Sequence, residues 1–193
     1  MARLFSIKPS ITFKGRKFKG LRGWAGKPLH PPLTDVVVGA YVLAMVFDVI
    51  SYAASVKGGE PGNIARDFFV AGTYAIIAGA IVSLPTTLTG FWDWYKSTEP
   101  GTQAWRTANW HMAVMVTVTV IVVANIVVRL GQWDDGHVSV AVLILSLLAG
   151  GLVSYGATYG GSLVFDYEFN VEQDNGHAWA KSEVDVLPGS NDS

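Results

Sequence analysis

The chain has 193 residues, half of them hydrophobic, only 15% charged, with a mean hydropathy of +0.34. An ordinary soluble domain carries about a quarter charged residues, so this composition excludes one. The absence of cysteine excludes disulfides, Cys-ligated zinc and Cys-ligated iron–sulfur clusters. The net charge of −1 conceals an asymmetry: eight Lys or Arg and no acid lie between Arg3 and Lys27, and seven acids and one Lys follow from Asp166 onward.

Residues 1–29 form a basic arm in which Lys and Arg alternate with aromatic and glycine residues. It is too glycine-rich for a firm helix. Beside a membrane span such a segment favours anionic lipid, by about 1 kcal/mol per basic residue. No nucleic-acid-binding module surrounds these charges, so nucleic acid is not an expected partner. The apolar run that follows exceeds the roughly 7 to 15 residues of a signal-peptide core, so no cleaved signal is expected.

Four apolar segments then reach the roughly 20 residues a transmembrane helix needs. They run from about 33 to 55, 68 to 91, 108 to 130 and 138 to 165. A soluble four-helix bundle would need a charged face on each helix, and from Asn109 to Val128 the only ionisable side chain is His111. The connections are short and carry breakers, Gly58–Gly59–Glu60–Pro61–Gly62 and Glu99–Pro100–Gly101, so sequential helices are antiparallel neighbours. The expected fold is an all-α, up-down four-helix transmembrane bundle over 30–167, followed by an acidic tail, 168–193, read as disordered.

With the N-terminus inside, the cytoplasmic segments hold the eight basic residues plus Lys96, Arg106 and Lys181. The opposite side holds Lys57, Arg66 and Arg129. The positive-inside rule therefore puts both termini in the cytoplasm of a bacterial inner (plasma) membrane. Trp92, Trp94, Trp105 and Trp110 flank the second connection as interfacial anchors.

In this topology His30, Asp35, Asp93 and His111 gather at the cytoplasmic face. Pro31 and Pro32 suit a first helical turn, and Thr34 or Asp35 can serve its open N–H groups. His30 and His111 are candidate ligands of a b-type haem or a divalent metal, with Asp35 and Asp93 as supporting groups. A quinone site could draw on the same residues with nearby tyrosines. Polar groups in lipid need internal partners. Asp48, Asn125, Arg129, Tyr155 and Tyr159 are accordingly expected in the bundle interior, with Asp48 paired to Asn125 or Arg129, or protonated. Pro85 should kink the second span, with Ser83, Thr86 and Thr87 serving its loosened backbone. Gly156 and Gly160 permit close helix packing and could form a homodimer seam.

The segments "KPLHPPLTDVVVG", "AMVFDVI", "LTGFWDW", a histidine opening the third span and "TYGGSLVF" resemble, in order and spacing, the bacterial membrane family called domain of unknown function 2231. The resemblance covers about residues 27 to 171. Lys27 stands where the family often has a first histidine, and Val37 where it often has a proline. The resemblance implies a four-span architecture. Some relatives are joined to Rieske-type iron–sulfur domains, which implies a link to membrane electron transfer, although this chain has no cysteine or such domain. The expected function is a non-enzymatic subunit or scaffold of a membrane assembly, respiratory or redox in type. The alternatives are a haem- or quinone-carrying electron-transfer protein using His30 and His111, and a small proton or ion transporter using Asp48 and Asn125.

Overall fold

A computed structural model describes residues 21, 28–56 and 63–170. The arm, except Leu21, Pro28 and Leu29, lies outside the described residues, as do the first connection and the tail from 171 onward. The described residues form four long helices and no sheet: α1 (His30–Val56), α2 (Asn63–Ser97), α3 (Gln103–Gly131) and α4 (Val140–Phe165), with a 3-10 turn, Trp133–Asp135, before α4. All four are long and apolar enough to cross a membrane.

Local chemistry sets the boundaries. Pro31 and Pro32 occupy the first turn of α1, where a missing N–H costs nothing, and the Thr34 hydroxyl donates back to the Pro31 carbonyl at 2.6 Å. Thr102 caps α3 by accepting from Trp105 N at 3.1 Å. Gly136, with φ 67°, ends the 3-10 turn in a left-handed conformation that favours glycine. Ser139 then caps α4, which starts at Val140. α2 stays helical through Pro85. Thr86 and Thr89 donate to the carbonyls of Val82 and Pro85, at 2.7 and 2.8 Å.

The four helices alternate in direction. At one end the start of α1 meets the end of α2, and the start of α3 meets the end of α4 (His30 with Thr86, His111 with Gly156). At the other end Asp48 and Arg129 meet Thr73 and Ser146. The layer between is apolar: Val37, Tyr41, Ala44, Ile76, Val118, Val122, Ala149 and Val153 form one buried cluster. Large apolar side chains such as Leu43, Leu88, Val127 and Leu147 point outward. An apolar exterior around a core that holds the polar residues suits a lipid environment, where every polar group needs an internal partner.

Candidate functional site

The buried charges sit at the end of the bundle where α1 and α3 finish. Asp48 on α1 and Arg129 on α3 form an ion pair, both side chains fully buried. All four helices contribute to it. Arg129 Nε donates to Asn125 Oδ1 at 3.1 Å, and Nη1 to Thr73 Oγ1 at 3.2 Å and to the Phe69 carbonyl at 3.5 Å. Nη2 bonds Asp48 Oδ2. The Phe69 ring lies 5.6 Å from the guanidinium carbon, close enough for a cation–π contact. Ser146 on α4 donates its hydroxyl to Asp48 Oδ2 and accepts from Asn125 Nδ2 at 2.7 Å. The second Asn125 N–H reaches the Val142 carbonyl at 3.3 Å. One oxygen, Asp48 Oδ1, has no hydrogen-bond partner among the described residues. It faces Gly72, where an added Cβ would lie 2.7 Å from it.

A lone charge in lipid is costly. This pair is neutral overall, and the guanidinium spreads its donors over carboxylate, amide, hydroxyl and carbonyl. Close by, Ser51 Oγ donates to the Ala65 carbonyl at 2.7 Å and accepts from Val138 N at 3.2 Å, joining α1 to α2 and to the entry of α4. Sequence reasoning missed Thr73, Ser51 and Ser146. The available signal was their place on the same helical stripe as neighbouring buried residues, but a lone hydroxyl residue in an apolar span is common.

The histidines occupy the opposite end. His30 Nδ1 lies 2.9 Å from the Thr86 carbonyl, and His111 Nδ1 lies 2.8 Å from the Gly156 carbonyl. A carbonyl only accepts, so each neutral ring carries its proton on Nδ1. Neither Nε2 makes a hydrogen bond among the described residues. Each ring also lies against a glycine. A Cβ on Gly90 would come within 2.5 Å of His30 Cε1, and one on Gly160 within 3.3 Å of His111 Cε1. Each histidine thus ties its own hairpin together, α1 to α2 and α3 to α4.

The other expected site residues divide. Asp93 is buried and accepts from Leu21 N at 3.0 Å, holding one point of the arm to the end of α2. Asp35 is exposed and lies off the buried stripe of α1. Among the described residues no three of His, Asp and Glu come together as a metal site.

Two expectations need correction. Tyr155 is not interior: it is 45% exposed, and its hydroxyl pairs with that of half-buried Tyr159 at 2.7 Å while accepting from Trp110 Nε1 at 3.4 Å. The α4 stripe that points inward runs through Val142, Ser146, Ala149, Val153 and Gly156, which leaves Tyr155 on the lipid side. The glycines assigned to a homodimer seam face α3 of the same chain. A Cβ on Gly156 would lie 2.8 Å from Met115 Cε, and Gly160 carries the His111 ring. That surface is already filled.

Comparison with curated proteins and with solved structures finds no match. One family model, described as "Predicted membrane protein (DUF2231)", matches residues 26–173, a span that takes in all four helices; the chain belongs to that family.

Proposed function

We propose that the chain is a non-enzymatic subunit or scaffold of a membrane assembly, seated in a bacterial inner membrane with both termini cytoplasmic. One observation carries this reading: the two histidines at one end of the bundle and the buried ion pair with its amide and hydroxyl partners at the other all bond across helices. His30 and His111 clasp the two hairpins. Asp48, Arg129, Asn125 and Ser146 lock all four helices at the other end. The ends are 18 residues apart along α1, about 27 Å of helix, and the layer between them is the apolar cluster. That largely apolar layer, whose one polar group is the Tyr41 hydroxyl, weighs against a proton or ion route from one end to the other. The basic arm would add contact with anionic lipid.

A second reading rests on the two histidine Nε2 atoms, which take no hydrogen bond among the described residues. A ring that donates Nδ1–H to a carbonyl and keeps Nε2 free is arranged as metal-bound histidines commonly are. His30 and His111 would be the residues to hold a haem, which would supply electron-transfer chemistry; a four-coordinate divalent cation would need further ligands, and no third His, Asp or Glu joins them among the described residues.

Oxidised and reduced optical spectra, with metal analysis and native electrophoresis on the same detergent-purified sample, separate the readings. The expected result is a colourless, metal-free protein that migrates in a larger assembly. A stoichiometric b-type haem signal, lost in His30→Ala and in His111→Ala, would replace the scaffold reading with the haem one. Migration as a free chain without chromophore would refute both.

A further inference from the structure

Two offsets relate the halves of this chain. His30 and His111 are 81 positions apart, and so are Asp48 and Arg129. Applied along α1, that shift carries the buried positions Val37, Tyr41, Ala44 and Asp48 onto Val118, Val122, Asn125 and Arg129 of α3, all buried too. A shift of 70 carries Gly72, Ile76, Gly79, Ser83, Thr86 and Asp93 of α2 onto Val142, Ser146, Ala149, Val153, Gly156 and Leu163 of α4, again all buried.

The bonds obey the same shifts. His30 reaches the Thr86 carbonyl with its ring on Gly90. His111 reaches the Gly156 carbonyl with its ring on Gly160. Histidine moves by 81, carbonyl and glycine by 70. Hairpin α1–α2 and hairpin α3–α4 are therefore one motif used twice. Because α1 and α3 run the same way, the operation relating them is an approximate two-fold rotation about an axis along the bundle, with α1 packed more closely on α4 than α2 is on α3.

We propose that the bundle is a fused dimer: the inner face of each hairpin is an interaction surface whose partner is a second hairpin of the same kind. In a two-fold dimer, equivalent residues that touch each other lie at the axis. Asp48 and Arg129 are equivalent and touch. In a self-paired hairpin this position would set Asp against Asp, or Arg against Arg, with no water to screen them. The charge pair lets each hairpin accept only its unlike copy. It converts a surface suited to self-association into one closed within a single chain.

The intact protein provides the first test. With no native cysteine, spin labels go only where cysteines are placed. Val46, Ala78, Val127 and Leu148 are outward-facing, and the two-fold exchanges 46 with 127 and 78 with 148. The 46–148 and 127–78 distances should therefore coincide within the label width. Clearly different distances overturn the symmetry.

The pairing rule is tested in the full-length chain. Asp48→Arg, which sets Arg against Arg, and Arg129→Asp, which sets Asp against Asp, should each lose the folded bundle in detergent. The double variant, which exchanges the two charges across the axis, should recover it. A double variant as unstable as the single ones overturns the proposal. Either result is independent of bound cofactor, so it is distinguishable from failure of the scaffold reading.

Discussion

Asp48 and Arg129 each depend on the other for their place in the apolar core. Removing one partner leaves a buried charge that neither water nor lipid can stabilise, whereas replacing both by apolar residues removes the problem. Arg129→Met should therefore destabilise the bundle by about 3–5 kcal/mol, read from unfolding in mixed detergent and SDS micelles. Asp48→Leu combined with Arg129→Met should recover most of that loss. A double variant as unstable as the single one would show that the hydrogen bonds to Asn125, Thr73 and Ser146, rather than the charges, set the energy. Gly72→Ala probes the same site from the backbone. Its Cβ would come within 2.7 Å of Asp48 Oδ1 and 3.3 Å of Arg129 Nη1. The pair is held by several bonds and cannot easily yield, so a loss of about 1–3 kcal/mol is expected in the same titration.

Helix contacts depend on where glycine lets a neighbour approach. Gly90 and Gly160 hold equivalent places under the two histidines, but the approach at Gly90 is tighter, 2.5 against 3.3 Å for an added Cβ. Gly90→Ala should push the His30 ring off the Thr86 carbonyl and cost about 1–3 kcal/mol. Gly160→Ala should cost less, because His111 needs to yield only a few tenths of an ångström. Pairing His30→Ala with Gly90→Ala should cost less than the sum of the single changes, since the new methyl then fills space the ring has left. Equal costs at the two glycines in thermal unfolding would contradict the difference in packing. Pro85 shows tertiary and local effects combined: the sequence predicts a kink, and α2 continues through it as helix with threonine hydroxyls on the nearby carbonyls.

For the whole molecule, the proposed orientation, with both termini cytoplasmic, makes a sharp labelling prediction. A cysteine at position 59 should react with a membrane-impermeant reagent from the periplasm, and one at position 98 only from the cytoplasm. The reverse pattern would turn the bundle over and move the histidine end to the periplasmic face. The histidine end also carries Trp94, which donates to Asn109 at 2.8 Å, and the group of exposed Trp110 and Tyr155 with half-buried Tyr159. Aromatic side chains with a polar tip favour the headgroup region, so this end of the bundle should lie at an interface. Quenching of tryptophan fluorescence by headgroup probes confined to the leaflet at this end, strong for these residues and weak for Trp133 in the turn at the opposite end, would fit a bundle whose aromatic anchors cluster here; equal quenching would not.

Composition and run length by themselves determined that this is a four-helix membrane protein. A span must be apolar for about 20 residues whatever it packs against, so that information is local and survives in a single sequence. The order of motifs was equally local and carried the family. Depth was legible too: helical rise alone places His30 and Asp48 at opposite ends, and the charge of Asp48 demands a partner in lipid. The direction of each side chain was not. Tyr155 and Ser146 are both polar residues on one apolar helix with little amphipathic contrast, and only packing against α3 and α1 decides that Ser146 faces the ion pair and Tyr155 the lipid. Nor does the sequence announce the repeat. Gly72 answers to Val142, Ile76 to Ser146 and Asp48 to Arg129, so equivalent positions share burial and backbone contacts more than residue type. In a membrane the inner surface is fixed by shape and by the need to satisfy polar groups, and many side chains meet that need. Tertiary structure alone therefore decided that the two hairpins are copies, and that the charges that differ between them hold the copies together.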